Sequence, residues 1–260
     1  MYASIKFLSN NKIASHMNII TRVWPRRSAG NMDLPKSAFL QAAHKIDDTY
    51  CLGLLQSLLN GYPYVPFTGA AIRPFCLVHM LNDITANGRR SIIEFGPGLS
   101  TVMMGRLIRK NRLSASILAV EHDEGWARLL REIVRKEGLE EFITLVHAPL
   151  TAYETGYNDW YNADCINAHA ANRRFDMVIV DGPPAWEPGR EKARFPALPF
   201  IKDKLCKKFS VYLDDANRAG EQAVLAQWKN DHDMHFTITG GTLAYYCTQG
   251  SFFTEPFSYY

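Results

Sequence analysis

Residues 91–101 read Ser91-Ile92-Ile93-Glu94-Phe95-Gly96-Pro97-Gly98-Leu99-Ser100-Thr101, and they leave the chain few ways to fold. An apolar run ends in a carboxylate. Two glycines follow, one residue apart, and a helix-like apolar segment begins at Leu99. The pattern reads as a buried strand, a tight turn and a helix. Glycines let the backbone approach a ligand with no Cβ in the way. The free N–H groups of the new helix can receive polar ligand atoms. The turn therefore predicts a site for a nucleoside-bearing cofactor, although a Gly-x-Gly pair alone is equally well a plain turn. A second apolar run ending in acid, Ser116-Ile117-Leu118-Ala119-Val120-Glu121, follows about 20 residues on, where a nucleotide-binding α/β unit places the carboxylate that accepts ribose hydroxyls. Position 101 is Thr rather than a third glycine, which argues against a pyrophosphate ligand.

The rest of the chain continues the alternation. Helices are expected over 34–59 and 74–85, with a break at Gly61-Tyr62-Pro63. Strands follow at 92–95, 117–121, 142–147, 175–180 and 210–213, and helices at 99–110, 125–136 and 216–231. Residues 153–174 are polar and aromatic and carry no readable period. Alternating strand and helix imply a parallel sheet covered on both faces. The end differs: 234–239, Gly240-Gly241 and 242–247 have the signature of a β-hairpin. The expected fold is α/β, a Rossmann-like and mostly parallel seven-stranded sheet with a C-terminal antiparallel hairpin and an N-terminal helical extension. The expected divisions are a basic segment at 1–32, the extension at 33–88 and the cofactor-binding domain at 89–260.

Composition narrows the function. At 260 residues, 47% of them hydrophobic, the chain can bury one substantial core. A net charge of +3 is too small to imply a nucleic-acid surface. The five cysteines form no Cys-x-x-Cys pair, so neither a disulfide framework nor a zinc site is supported, and reduced thiols point to a cytoplasmic protein. No apolar run has transmembrane length. Residues 1–32 carry five bases and no acid, as a basic tail or an organellar targeting segment does.

These segments resemble the class I S-adenosylmethionine-dependent methyltransferases over residues 65–248. The resemblance rests on the Glu94–Thr101 turn, on Val120-Glu121-His122-Asp123, on Phe175-Asp176-Met177-Val178-Ile179-Val180-Asp181-Gly182-Pro183-Pro184 and on the terminal hairpin. It implies S-adenosylmethionine as cofactor, held by Glu94, Gly96, Gly98, Ser100, Thr101, Glu121, His122, His147, Ala148 and Asp181. Methyl transfer from a sulfonium is an in-line displacement, so catalysis is mostly positioning plus activation of the nucleophile.

Asp181 follows the fourth strand, and Asp214 and Asp215 follow the fifth, on the edge where open α/β sheets bind ligands. Three converging carboxylates repel one another unless they are protonated or hold a cation, and all-oxygen ligation suits magnesium. The arrangement is similar to catechol O-methyltransferase and to macrocin-type sugar O-methyltransferases, which implies a magnesium site at Asp181, Asp214 and Asp215, with Asp181 and Asp215 catalytic. The sequence departs from both in offering Pro183-Pro184 where those families place a further acid or a lysine. Asp214 has a second reading as cap of the helix at 216, and Asp215 as an acid of its first turn. Arg218 either binds an acidic substrate or pairs with Glu221 or Asp215. Trp126 is expected to close the adenine side. The expected function is O-methylation of a small-molecule acceptor. The alternatives are a nicotinamide-dependent oxidoreductase, a non-catalytic scaffold and a nucleic-acid methyltransferase. Thr101 and the hairpin disfavour the first, and the third lacks an Asn-Pro-Pro-Tyr motif.

Overall fold

The computed structural model describes residues 36–153 and 159–256, so the basic segment at 1–32 lies outside the described residues. The chain divides into two compact units, Met1–Gln41 and Ala42–Tyr260. Of the first unit, only the opening turns of helix α1 (Lys36–Leu59) are described. The second unit holds α2 (Pro74–Ala86), then β1 (Ser91–Phe95), α3 (Leu99–Asn111), β2 (Ser116–Glu121), α4 (Glu124–Lys136) and β3 (Ile143–His147). After these come β4 (Leu150–Thr151), β5 (Trp160–Tyr161), α5 (Ala163–Ala170), β6 (Phe175–Val180), α6 (Ala197–Ile201) and β7 (Leu205–Leu213). Helix α7 (Ala219–His232) and strands β8 (Thr237–Thr239) and β9 (Leu243–Cys247) complete it.

Seven strands form one sheet in the order β3-β2-β1-β6-β7-β9-β8. The first five run parallel, and β9 pairs antiparallel with both β7 and β8. The strands read as continuous apolar runs because both faces are covered. Ile92, Ile117, Ile143, Met177, Ile179 and Tyr212 face one core cluster, shared with α1, α2 and α3. Ile93, Phe95, Leu118, Val178, Val180 and Leu213 face the other, shared with Trp160, Tyr161 and Trp228. The direction of connection reverses at β1: β2 and β3 lie to one side and β6 and β7 to the other. Such a switch point opens a crevice at the strands' carboxyl ends.

Within the expected 33–88 extension, residues 42–88 belong to the same compact unit as the sheet. Phe75, Leu77, Val78 and Met80 of α2 are buried in the first core cluster, and burial on that scale makes α2 a layer of the domain. Two expectations need correction. Residues 153–174 include one strand of a short hairpin with β4, and helix α5, whose N-cap Asn162 accepts from the N–H groups of Asp164 (3.0 Å) and Cys165 (3.1 Å). The fifth parallel strand starts at Leu205, and α7 starts at Ala219 rather than 216.

Candidate active site

Backbone pairing carries the parallel ladder past the strand ends and aligns the rim. Gly96 N–H donates to Val120 O (3.1 Å), Asp181 N–H to Phe95 O (2.8 Å), and Asp214 N–H to Val180 O (3.1 Å). The turn after β1 and the turn after β6 thereby lie back to back. Gly96 sits at φ 86°, and a Cβ there would stand 2.7 Å from the backbone of Asp181 and Gly182. A Cβ on Gly182 would meet the Tyr161 hydroxyl and stand 2.9 Å from Gly96 Cα. Only glycines permit this crossing.

The first-strand acid is fixed beneath the turn. Glu94 is fully buried, and its carboxylate accepts from Ser100 Oγ and Thr101 Oγ1, both at 2.5 Å. Thr101 Oγ1 in turn accepts from Gly98 N–H (3.0 Å), which closes the entry to α3. Burial pushes the Glu94 carboxyl up to about 7, against the pull of the two hydroxyl donors. Glu94 and Thr101 therefore shape the turn from behind. The cavity in front, roughly 340 Å³, is lined by Gly96, Gly98, Ser100, Glu121, His122 and Asp181 from the predicted set. Trp126 lines it as well, its indole N–H donating to Pro97 O (2.8 Å).

Glu121 accepts from Asp123 N–H through Oε1 (2.6 Å), with His122 Nδ1 2.8 Å from the same oxygen. His147 and Ala148 are not among the lining residues, a departure from expectation. His147 Nε2 lies 3.1 Å from His122 O, and buried Ala148 donates its N–H to Glu121 O (2.7 Å). Both buttress the loop after β2.

A second cavity, roughly 270 Å³, adjoins the first, and Ala70, Ala71, Asp181 and Pro184 line both. Asp214, Asp215, Arg194, Arg218 and Trp186 are among its other lining residues. Asp181, Asp214 and Asp215 do converge: one oxygen of each lies within 4.8 Å of the others. Neither Asp214 nor Asp215 caps α7, whose N-cap is Arg218. Asp215 takes a left-handed conformation (φ 58°) that Asp tolerates. Its Oδ2 pairs with Arg218 Nη1 (2.8 Å) and Arg194 Nη2 (3.1 Å). Arg218 also lies 3.8 Å from Glu221, so it takes both pairings weighed from sequence. Asp214 Oδ1 is buried and finds no hydrogen-bond partner among the described residues.

Burial, then the neighbouring Asp214, raises the Asp181 carboxyl far above the usual range. Burial, then Asp215, raises Asp214 to about 6.

Three contributions were not legible in advance. Arg194, 4% exposed, lies among the acids, with Nη2 3.3 Å from Asp181 Oδ1. Its signal was a lone arginine inside Ala193-Arg194-Phe195-Pro196-Ala197-Leu198, since a charge in an apolar run needs a buried partner. Tyr161, from the β4–β5 hairpin, lines the first cavity, and its buried hydroxyl has no partner among the described residues. The connection between α1 and α2 covers both cavities with Ala70 and Ala71. It is tied down by Arg73, which pairs with Asp48 (2.9 Å) and donates to His44 O and Gly240 O.

No curated protein matches the sequence. Among solved structures, the chain is similar to a proposed caffeoyl-CoA O-methyltransferase from Staphylococcus aureus (TM-score 0.54, 13% identity, 78% of this chain and 99% of that one). It is similar to the same degree to the methyltransferase PaMTH1 from Podospora anserina, solved with S-adenosylhomocysteine (TM-score 0.54, 14% identity, 85% and 98%). At these identities the likeness speaks for the fold, and that fold is the one built above. Residues 93–216, which contain the glycine turn, Glu121 and all three rim aspartates, match the family model of a methyltransferase domain. Over that span, just under half of the chain, the protein is similar to a methyltransferase domain.

Proposed function

We propose that the chain moves the methyl group of S-adenosylmethionine to a hydroxyl oxygen of a small molecule, at the junction of the two cavities. The observation that carries this is Asp181. It lines both the cavity bounded by the glycine turn and Glu121 and the cavity holding the other acids. In-line displacement requires donor and acceptor to meet at one point, and Asp181 lies where two separate chambers join.

In this reading Glu121 accepts the ribose hydroxyls, and the backbone of Gly96 and Gly98 lies along the amino-acid part of the cofactor. The acceptor occupies the second cavity, where Asp214 Oδ1 is buried without a hydrogen-bond partner among the described residues. Its reacting oxygen attacks the methyl carbon, the carbon–sulfur bond breaks, and sulfur leaves as the thioether of S-adenosylhomocysteine. The hydroxyl proton passes to Asp181 in its ionised form, the form that the Arg194 guanidinium 3.3 Å away favours. Asp215, paired with Arg194 and Arg218, positions rather than reacts.

A magnesium-assisted version was expected from sequence. The donor set suits magnesium by chemistry, being three carboxylates that converge. The guanidinium of Arg194 is already bound to two of them, so a resident ion does not fit beside it.

Calorimetry with S-adenosylhomocysteine and NAD tests the cofactor. The adenosyl ligand should bind, and binding of NAD alone would sink the reading. A panel of hydroxylated acceptors, scored by release of S-adenosylhomocysteine, tests the chemistry. Asp181→Asn should abolish turnover with cofactor affinity nearly intact.

A further inference from the structure

We propose that Arg194 is the built-in cation of the rim cluster, standing where a divalent ion would have to bind, so that this site operates without a metal. The inference concerns the cluster's own electrostatics and does not depend on which acceptor is methylated.

The first ground is position. Nη2 of Arg194 lies 3.3 Å from Asp181 Oδ1 and 3.1 Å from Asp215 Oδ2, and Nη1 lies 3.7 Å from Glu221 Oε1. A metal ion bridging Asp181 and Asp215 would stand against this guanidinium, cation beside cation. At that separation, in a poorly solvated site, the repulsion is strong and is doubled by the ion's second charge.

The second ground is anchoring. A cation that shares ligands with a metal can step aside if its side chain is free to swing. Arg194 is not. Nη1 donates to Asp214 O (3.0 Å), Nη2 to Asp181 O (3.1 Å) and Nε to Pro183 O (3.4 Å). These carbonyls belong to the turns after β6 and β7, the segments that carry the acids. Moving the guanidinium would strip those carbonyls of their donor and leave the charge in a buried place without a partner. The planar fork of an arginine suits this task, and a lysine would present a single mobile point charge.

The third ground is the surrounding charge. Arg218 adds a second guanidinium, 2.8 Å from Asp215 and 3.8 Å from Glu221. Asp181, Asp215 and Glu221 each pair with one or both arginines, so much of the mutual repulsion that would recruit a divalent ion is met from within the chain. Arg194 is then a positioning residue. It holds Asp181 and Asp215 in place at the junction of the cavities.

The test is metal binding, read without turnover. The full chain is titrated with Mn²⁺ and followed by electron paramagnetic resonance, and Mg²⁺ is added in thermal melts. Wild type should leave the free Mn²⁺ signal unchanged, and Mg²⁺ should not move its melting temperature. Arg194→Gln removes the charge and exposes the three carboxylates to one another. It should gain a single Mn²⁺ site, and Mg²⁺ should raise its melting temperature by mass action. Asp181→Asn in that background should remove the gain, while Arg194→Lys, which keeps a positive charge, should gain less.

A stoichiometric Mn²⁺ site in wild type that is lost in Asp214→Asn overturns the proposal. So does an Arg194→Gln protein that melts cooperatively and binds no metal. Should Arg194→Gln fail to fold, the wild-type titration decides alone. Calorimetry with S-adenosylhomocysteine reads the other cavity, so failure here leaves the methyl-transfer reading standing, and failure there leaves this one.

Discussion

The two halves of the rim reach the same end by different means. After β1 and β2, the buried acids are stabilised locally. Glu94 takes its donors from Ser100 and Thr101, six and seven residues ahead, and Glu121 takes one from the N–H of Asp123. After β6 and β7, the acids are stabilised at long range, by an arginine that is 13 residues from Asp181 and 21 residues before Asp215. The local half is built from hydroxyls and backbone, and its charge is left for a ligand to meet. The long-range half is built from buried ion pairs, and its charge is largely met inside the protein. An acidic cradle with no arginine partner suits a cofactor that brings a positive charge, and a cross-braced cluster suits an acceptor site where one proton must move.

The largest expected effect falls on the cross-braced half. Arg194→Gln should cost about 3–5 kcal/mol, the usual consequence of removing one partner from buried ion pairs. Urea unfolding measures it, and a loss under about 1 kcal/mol would show that the brace is ornamental. On the local half, Gly96→Ala should cost about 3 kcal/mol and abolish binding of S-adenosylhomocysteine. The residue is held at positive φ, and its Cβ meets backbone that cannot yield. Retained affinity would mean that the two turns can part.

That contrast also explains what the sequence disclosed. Strand–turn–helix order is a local property, so β1, α3, β2 and the Gly96–Gly98 turn were readable from pattern alone, as was the hairpin from Gly240-Gly241. The rim position of Asp181, Asp214 and Asp215 followed from their place at strand ends. Arg194 was not readable, because its partners are distant in sequence and only the sheet order brings them together. Tyr161 was hidden because a two-residue strand has no period to detect. His147 and Ala148 were placed at the cavity by resemblance, yet hydrogen bonding to His122 and Glu121 turns them to supporting the loop. Asp214 and Asp215 had a helix-capping reading because capping depends on where a helix starts, and α7 starts three residues later than its pattern indicated.

The pH dependence of stability sharpens the view of the local half. Burial pushes the Glu94 carboxyl up to about 7 in the folded chain, from an ordinary 4.5. A carboxyl raised on folding favours the native state while it is protonated. Its contribution is complete below pH 4.5 and is lost as pH rises through about 7. The full span is worth about 3 kcal/mol. Melting temperatures from pH 5 to 8 should therefore fall for wild type relative to Glu94→Gln, which does not titrate. A rising difference would mean that the hydroxyl donors of Ser100 and Thr101 outweigh burial. Somewhat smaller is the expected effect of Glu121→Ala on ligand binding. Losing a charged acceptor for ribose hydroxyls should weaken S-adenosylhomocysteine about tenfold to a hundredfold by calorimetry. An unchanged affinity would remove Glu121 from the cofactor's contacts.

Tyr161 carries the smallest expected effect and tests where the two halves meet. Its ring is packed against Phe95 and Trp160, and its hydroxyl lies beneath Gly182, buried and unpartnered among the described residues. Burial keeps that hydroxyl protonated, far above its ordinary titration range. A buried donor without an acceptor costs free energy in the unliganded protein, so Tyr161→Phe should leave stability unchanged or raise it by up to about 1 kcal/mol. Tyr161 is among the residues that line the first cavity, and a bound cofactor that displaces the Gly182 turn slightly can supply the missing acceptor. Tyr161→Phe should then weaken S-adenosylhomocysteine by about threefold to tenfold, the worth of one neutral hydrogen bond. A stable variant with reduced affinity would place Tyr161 with the ligand-facing, locally satisfied half of the rim. A destabilised variant with normal affinity would place it instead with the internal bracing that Arg194 supplies on the other side.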